Sequence, residues 1–323
     1  MGMKKIVLAL ALVSLGVVLL AAGCGSGGKK AGGKERVFVM VPKGVHPYYE
    51  PCYEGFKAAA ARCGIKTDYC AATEFEVPKQ VQMIENVIQR KVDGIAISAL
   101  DDEGLVRVID QARQAGIKVI TFDAPAPSSS ALCYIGTMNE AAGYTGGAEM
   151  AKLMGGDGEI AVLQGGLAAP NLNDRFKGFE KALKEKAPNI RVVTREDTQG
   201  KTNVTADKTE ALLRAYPKLK AIFSVSAEGV PGALPVLKEK KATDKVLLAG
   251  FDDLPETLDA IREGTARFCI VQRTYKMGWL SIEKLRDACD GKPLPKVIDT
   301  GVLIVTKENA GSYMQDMKKE FEQ

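Results

Sequence analysis

Val246-Leu247-Leu248-Ala249-Gly250-Phe251-Asp252-Asp253 is the stretch that decides the fold. An apolar run of this length, stopped by Gly, an aromatic and two carboxylates, reads as a buried strand ending at a functional rim. The chain carries an echo of it in Val119-Ile120-Thr121-Phe122-Asp123. Each copy follows a similar strand, Gly94 to Ala99 in the first half and Ala221 to Ala227 in the second. Ser98 precedes Asp123 by 25 residues and Ser226 precedes Asp252 by 26, and each gap holds one helix-sized segment. Either Asp alone reads equally well as a turn or helix cap. Capping does not require matched spacing in two places, so the repetition favours two similar α/β domains presenting carboxylates to a shared cleft. In open parallel sheets a ligand sits outside the carboxyl ends of the strands.

The N-terminus sets the compartment. Met1-Gly2-Met3-Lys4-Lys5 is followed by an uncharged run from Ile6 to Gly23 and then Cys24. A short basic region, an apolar core and small residues before a cut are the parts of a secretory signal. Cys24, directly after Leu20-Ala21-Ala22-Gly23, gives it the look of a lipoprotein signal, with residues 1–23 removed and Cys24 lipidated. The alternative is an uncleaved anchor, since the apolar run is just long enough to span a bilayer. Residues 24–34, rich in Gly and Lys, read as a flexible tether. The expected location is outside the cytoplasm, lipid-anchored at the outer face of the cell membrane or in the periplasm.

The rest of the chain is long enough for two domains of ordinary size. Losing Lys4 and Lys5 takes the formal net charge from +4 to +2, and so balanced a surface gives no reason to expect nucleic acid. Six cysteines follow Cys24: Cys52, Cys63, Cys70, Cys133, Cys269 and Cys289. Cys52 and Cys63 fall on one helix, about 16 Å apart along its axis, too far to be bridged. Most of the others fall on apolar faces, as small buried thiols do.

From Arg36 strands and helices alternate with short connections, which favours parallel, doubly wound sheets. Three chain crossings are expected, near Thr137, Arg273 and Gly301. They make one ligand-binding domain of residues 35–137 plus 273–301 and another of 138–272 plus 302–323, joined by a three-segment hinge.

Catalysis finds little support. There is no Gly-rich phosphate loop, no Gly-x-Ser-x-Gly turn and no paired metal-ligand spacing. His46 is the only His and stands beside Pro47 in a loop, a place for a hydrogen-bonding residue more than for a general base. The reading is a binding protein, not an enzyme, with no cofactor and no metal. Tyr48 and Tyr49 follow the turn after the first strand and belong on the same rim as Asp123. Aromatic rings can cover the C–H faces of a sugar while carboxylates and amides take its hydroxyls. Gln272 ends a strand where the chain crosses between domains, and Gln199-Gly200-Lys201 is expected to face the same opening. Trp279, among Leu280, Ile282 and Leu285, reads as core.

Taken together, these residues resemble the solute-binding lipoproteins of ribose-type ABC sugar importers. The resemblance runs from about Arg36 to Thr306. It rests on His46-Pro47-Tyr48-Tyr49, Ile120-Thr121-Phe122-Asp123, Leu163-Gln164-Gly165, Asn173-Asp174-Arg175-Phe176-Lys177-Gly178-Phe179, Gly250-Phe251-Asp252 and Gln272, in that order and spacing. It implies a monomeric protein that captures a small sugar between its domains by hinge closure and delivers it to permease subunits. His46, Tyr48 and Tyr49 occupy the places of an Asn and two stacking aromatics. Asp123, Asp252 and Gln272 match polar sugar contacts. Asn173 and Ser226 fall where ribose-binding members carry Arg and Asn, and Ala124 replaces an Arg. Gln199 or Gly200 lies near the place of the aromatic that covers the sugar's other face. Losing bidentate donors leaves the class, a small sugar, without singling out ribose. Val41-Pro42-Lys43-Gly44 resembles a branch that binds a furanosyl autoinducer, whose adjacent Asp and Gln are not visible around Asn171-Leu172. Competing readings are a nucleoside, polyol or autoinducer receptor of the same architecture, a chemosensory ligand carrier, and a sugar-responsive repressor. The last needs an N-terminal helix-turn-helix, where the signal segment stands.

Overall fold

The strands are nearly continuous apolar runs because both faces of each sheet are covered by helices. A computed structural model describes residues 35–322 except Ala168. The segments read from the sequence as a signal (1–23) and a tether (24–34), Cys24 among them, therefore lie outside the described residues. In a first lobe β1 (Val37–Val41), β2 (Lys66–Tyr69), β3 (Gly94–Ile97), β4 (Lys118–Phe122) and β5 (Tyr134–Gly136) alternate with α1 (Glu50–Cys63), α2 (Val77–Gln89) and α3 (Asp102–Gln114). A second lobe opens with α4 (Asn139–Leu153), then β6 (Asp157–Gln164), α5 (Pro170–Lys186), β7 (Asn189–Asp197), α6 (Thr202–Ala215) and β8 (Leu219–Ser224). It continues through α7 (Gly229–Glu239), β9 (Leu247–Phe251), α8 (Pro255–Glu263) and β10 (Phe268–Gln272). The chain returns with α9 (Thr274–Cys289) and ends with β11 (Val297–Asp299), β12 (Val302–Thr306) and α10 (Tyr313–Glu322).

The two six-stranded sheets have the same order, β11-β5-β4-β3-β1-β2 and β12-β10-β9-β8-β6-β7. β4 and β9, the strands of the echoed sequence, hold equivalent places. Pairing is parallel throughout the first sheet, whereas β12 runs antiparallel to β10. Each sheet separates two clusters of buried side chains. Phe38, Phe122 and Ile135 lie on one side of the first sheet and Val39, Ile95 and Val119 on the other. Phe223, Phe251 and Ile270 face Ile222, Leu248 and Cys269 in the same way in the second.

By sheet membership the chain passes between lobes after β5, after β10 and between β11 and β12. The sequence assigns 302–323 as a block to the second domain, and the packing of α10 divides between the two lobes. Tyr313 packs in the second lobe, but Met317 is buried against Tyr275 and Trp279 of α9 in the first, with Phe321 beside them. Met317 and Phe321, four apart on α10, form an apolar stripe that must be covered, and α9 offers the apolar face that covers it. The six cysteines are free thiols. Among the described residues no helix is long and apolar enough to cross a membrane.

Candidate functional site

Both halves of the site begin with the same local event. Asp123 and Asp252 directly follow β4 and β9, and each has positive φ, 58° and 63°. The Asp123 N–H still donates to Ile135 O at 3.1 Å, and the Asp252 N–H to Ile270 O at 2.9 Å. Strand pairing therefore continues into each aspartate before a left-handed turn swings the chain away. Asp is among the few side chains that adopt this conformation readily. The carboxyl group is left at the C-terminal edge of its sheet, where the two edges face a common cavity of about 190 Å³.

The first-lobe wall is built around Asp123, which is 7% exposed. Tyr48 Oη donates to its Oδ1 at 2.9 Å, while Tyr49 Oη and Ser98 Oγ donate to Oδ2 at 3.0 and 2.6 Å. Lys43 Nζ lies 3.5 Å from Oδ2. Burial alone would raise this carboxyl's pKa, but Lys43 and the three hydroxyl donors together hold it below the usual range. The tyrosines are pushed well above their ordinary value, first by burial and then by the Asp123 charge, so they stay donors. His46 positions them: its Nδ1 accepts from Tyr48 N–H at 3.1 Å and caps the 3-10 turn Pro47–Tyr49. Buried Gln80 of α2 bonds Pro42 O and Ser98 O at 2.9 and 2.7 Å, holding the loop after β1 against the end of β3.

The second-lobe wall sets a buried arginine and an amide beside its carboxylate, where the first sets a lysine and three hydroxyls. Arg175 of α5 is 3% exposed, with Nη1 3.8 Å from Asp252 Oδ2 and 3.0 Å from Val225 O. Its Nε donates to Asn139 Oδ1 at 2.9 Å, and its guanidinium lies 4.3 Å from the Phe251 ring centroid. Gln272 Nε2 donates to Asp252 Oδ1 at 2.9 Å. Burial raises the Asp252 pKa to about 6, against the pull of Arg175 and Gln272. Ser226 Oγ donates to Glu228 Oε1 at 2.7 Å, leaving its oxygen as an acceptor.

Seven of the nine sequence-predicted ligand residues line this one cavity: His46, Tyr48, Tyr49, Asp123, Ser226, Asp252 and Gln272. Asn173 and Gln199 do not. Asn173 Oδ1 accepts from Gln164 Nε2 at 3.1 Å and from Arg195, and its Nδ2 donates to Leu167 O at 3.0 Å. Asn173 and Arg175 are two residues apart on α5, roughly 200° around the axis, so they cannot face the same space. The arginine takes the place that the sequence reading gave to Asn173. Gln199 is exposed at the tip of the turn after β7, with φ 54° and its N–H donating to Asp197 Oδ1 at 2.8 Å. β7 is the outer strand of its sheet, which carries that turn away from the cavity.

The cavity also contains residues that the sequence reading passed over, chiefly Lys43, Phe75 and Arg175. Lys43 and Arg175 stand inside stretches quoted above, and the helical period would have separated Arg175 from Asn173. Phe75 carries a weaker signal, one aromatic between Glu74 and Glu76 in a loop.

Residues 37–293 match the model of the periplasmic binding protein domain. The chain belongs to that family. Among solved relatives is an ABC transporter solute binding protein from Burkholderia graminis C4D1M in complex with D-arabinose. It is 39% identical with a TM-score of 0.82, over 87% of this chain and 98% of that one. An arabinose binding protein from Geobacillus stearothermophilus is 32% identical with a TM-score of 0.82, over 87% and 99% of the two chains. A D-apiose import binding protein of Paraburkholderia graminis is 23% identical over 280 residues, 85% of this chain and 88% of its own. These relatives are binding and import proteins, and in this periplasmic binding protein the candidate site lies between two lobes. Among the described residues no group of three or more acidic, His or Cys side chains is placed to hold a metal ion.

Proposed function

We propose that the protein is the solute-binding component of an ABC importer and that it holds a monosaccharide in the cavity between its lobes. The carrying observation is the pair of buried carboxylates, Asp123 and Asp252, presented by equivalent strand ends to one cavity with Arg175 beside the second. Sugar hydroxyls need acceptors and donors in fixed directions, and buried ones discriminate because a ligand that leaves them unpaired is penalised. Asp123 Oδ1 and Ser226 Oγ keep acceptor capacity, and Arg175 and Gln272 bring donors. A cavity of 190 Å³ is worth about six waters at their liquid volume, below the range of drug-sized sites. One sugar ring suits it better than a disaccharide. The solved relative in complex with D-arabinose supports this class.

The test is thermal unfolding against pentoses, hexoses, polyols and nucleosides. A ligand at 100 times its Kd should stabilise the protein by about 2.7 kcal/mol, a shift of several degrees. Asp252→Ala and Arg175→Ala should abolish the shift. A nucleoside that stabilises the protein while every sugar and polyol fails would transfer the assignment to the nucleoside receptors.

The reading includes lipid anchoring through Cys24 outside the cytoplasm, supported by the leader pattern in residues 1–24, with the permease as partner. Cys24→Ser should leave the precursor uncleaved or release protein from the membrane. Normal processing with full membrane retention would remove the anchor from the assignment.

A further inference from the structure

We propose that Phe75 is a specificity-determining residue whose ring forms the apolar wall that selects a cyclic monosaccharide over its open-chain polyol; this rests on the sugar reading above. Phe75 stands in the loop between β2 and α2 and lines the cavity while remaining 49% exposed. A single exposed aromatic is ordinary on a protein surface, but this one is held in place. Gly44 approaches so closely that a Cβ there would lie 2.9 Å from the Phe75 ring carbon Cε2. The His46 ring meets it at 90°, with centroids 6.4 Å apart. Val45 N–H donates to Ala72 O at 3.0 Å, tying the loop after β1 to the loop that carries Phe75.

The chemistry around it explains why such a wall matters. The Tyr48 and Tyr49 hydroxyls are engaged by Asp123, and Tyr49 is only 3% exposed, a core residue more than a platform. Gln199, which the resemblance sets near the place of an aromatic covering the sugar's other face, stays outside the cavity. Phe75 therefore supplies a flat, supported apolar face from a different loop. A pyranose or furanose presents C–H groups together on one face, and a phenyl ring removes that face from water. An open-chain polyol carries the sugar's hydroxyls, plus the one freed when the ring oxygen opens, but no rigid face to set against the ring. It must also give up internal rotations on binding.

The experiment compares the tightest-binding sugar of the panel with its own reduced polyol, by calorimetry, on the wild type and three variants. Phe75→Ala should weaken the sugar about tenfold and the polyol much less, so that their ratio shrinks. Phe75→Tyr should keep the ratio. Gly44→Ala touches no ligand but displaces the ring, and should reduce the ratio part of the way. Unfolding of each ligand-free variant near the wild-type temperature shows that the change is in the site. Equal losses for sugar and polyol, or an unchanged ratio in Phe75→Ala, would overturn the role of Phe75 and leave the sugar reading standing. A wild type that binds no sugar overturns both.

Discussion

Asp123 and Asp252 occupy equivalent places yet titrate in opposite directions, because their lobes surround them differently. Asp123 has Lys43 and three hydroxyl donors and sits below the usual carboxylate range. Asp252 is raised by burial to about 6, with Arg175 and Gln272 pulling down and the charges of Asp253 and Asp123 pushing up. A folded-state pKa above the unfolded value means that the native protein binds the extra proton between about pH 4 and pH 6. Stability from this group is therefore present at low pH and lost as pH rises through about 6, by an amount on the order of 1–3 kcal/mol. His46 acts in the reverse sense: burial lowers its pKa, so its contribution falls as pH drops below 6.5. Unfolding of the ligand-free protein across pH 4–7 should thus change slope in Asp252→Asn, and change in the opposite sense in His46→Gln. Sugar affinity should fall as pH drops below 6, since a protonated Asp252 offers fewer acceptors; a flat affinity profile would detach this carboxyl from the ligand.

At the scale of elements the lobes repeat a device that the sequence reading did not find. In each, the helix arriving from the other lobe crosses the helix after the first strand, and reciprocal glycines let the backbones touch. A Cβ on Gly278 of α9 would lie 1.8 Å from Cys52 O, and one on Gly55 of α1 would lie 2.1 Å from Tyr275 O. In the second lobe a Cβ on Gly143 of α4 would lie 1.8 Å from Arg175 O, and one on Gly178 of α5 1.8 Å from Glu140 O. Gly143→Ala should cost about 1–3 kcal/mol of stability through overpacking, and should weaken ligand binding because the displaced backbone carries Arg175. Gly278→Ala should destabilise comparably without that direct effect on Arg175, and Gly311→Ala, with open space around it, should do neither. Calorimetric unfolding with ligand titration separates the three. The strand–Phe–Asp repeat was legible because burial on both faces demands apolar runs and a chain reversal at the rim demands a small polar residue. Which face of α5 meets the cavity was not, since Asn173 and Arg175 are both polar and only the crossing with α4 orients the helix. Gln199 was misplaced for a related reason: strand order, which puts β7 at the edge, is not written in local pattern.

Across the whole molecule the lobes are joined by three crossings and by α10, which spans them. Tyr313 Oη donates to Asp253 Oδ2 at 2.6 Å, beside Asp252 of the site. One to two turns on, Met317 and Phe321 pack on α9, Glu320 pairs with Arg273 and Lys276, and Lys318 Nζ lies 2.7 Å from Glu54 of α1. Closure about a hinge is the general behaviour of periplasmic binding proteins as a class, and a ligand favours the form it contacts from both sides. An element fastened to both lobes favours arrangements that keep both fastenings. Releasing one end should therefore widen the range of ligand-free arrangements and leave the ligand-bound form nearly unchanged. Tyr313→Phe removes the bond to Asp253, and Met317→Ala opens a cavity on α9 that should cost about 2–5 kcal/mol. In small-angle scattering both variants should show a larger ligand-free radius of gyration than the wild type, converging on the wild-type value at saturating sugar. Affinity should fall with the increase in radius, because more of the binding energy goes into selecting the closed form. Ligand-free profiles that coincide with the wild type in both variants would reduce α10 to a structural end-cap.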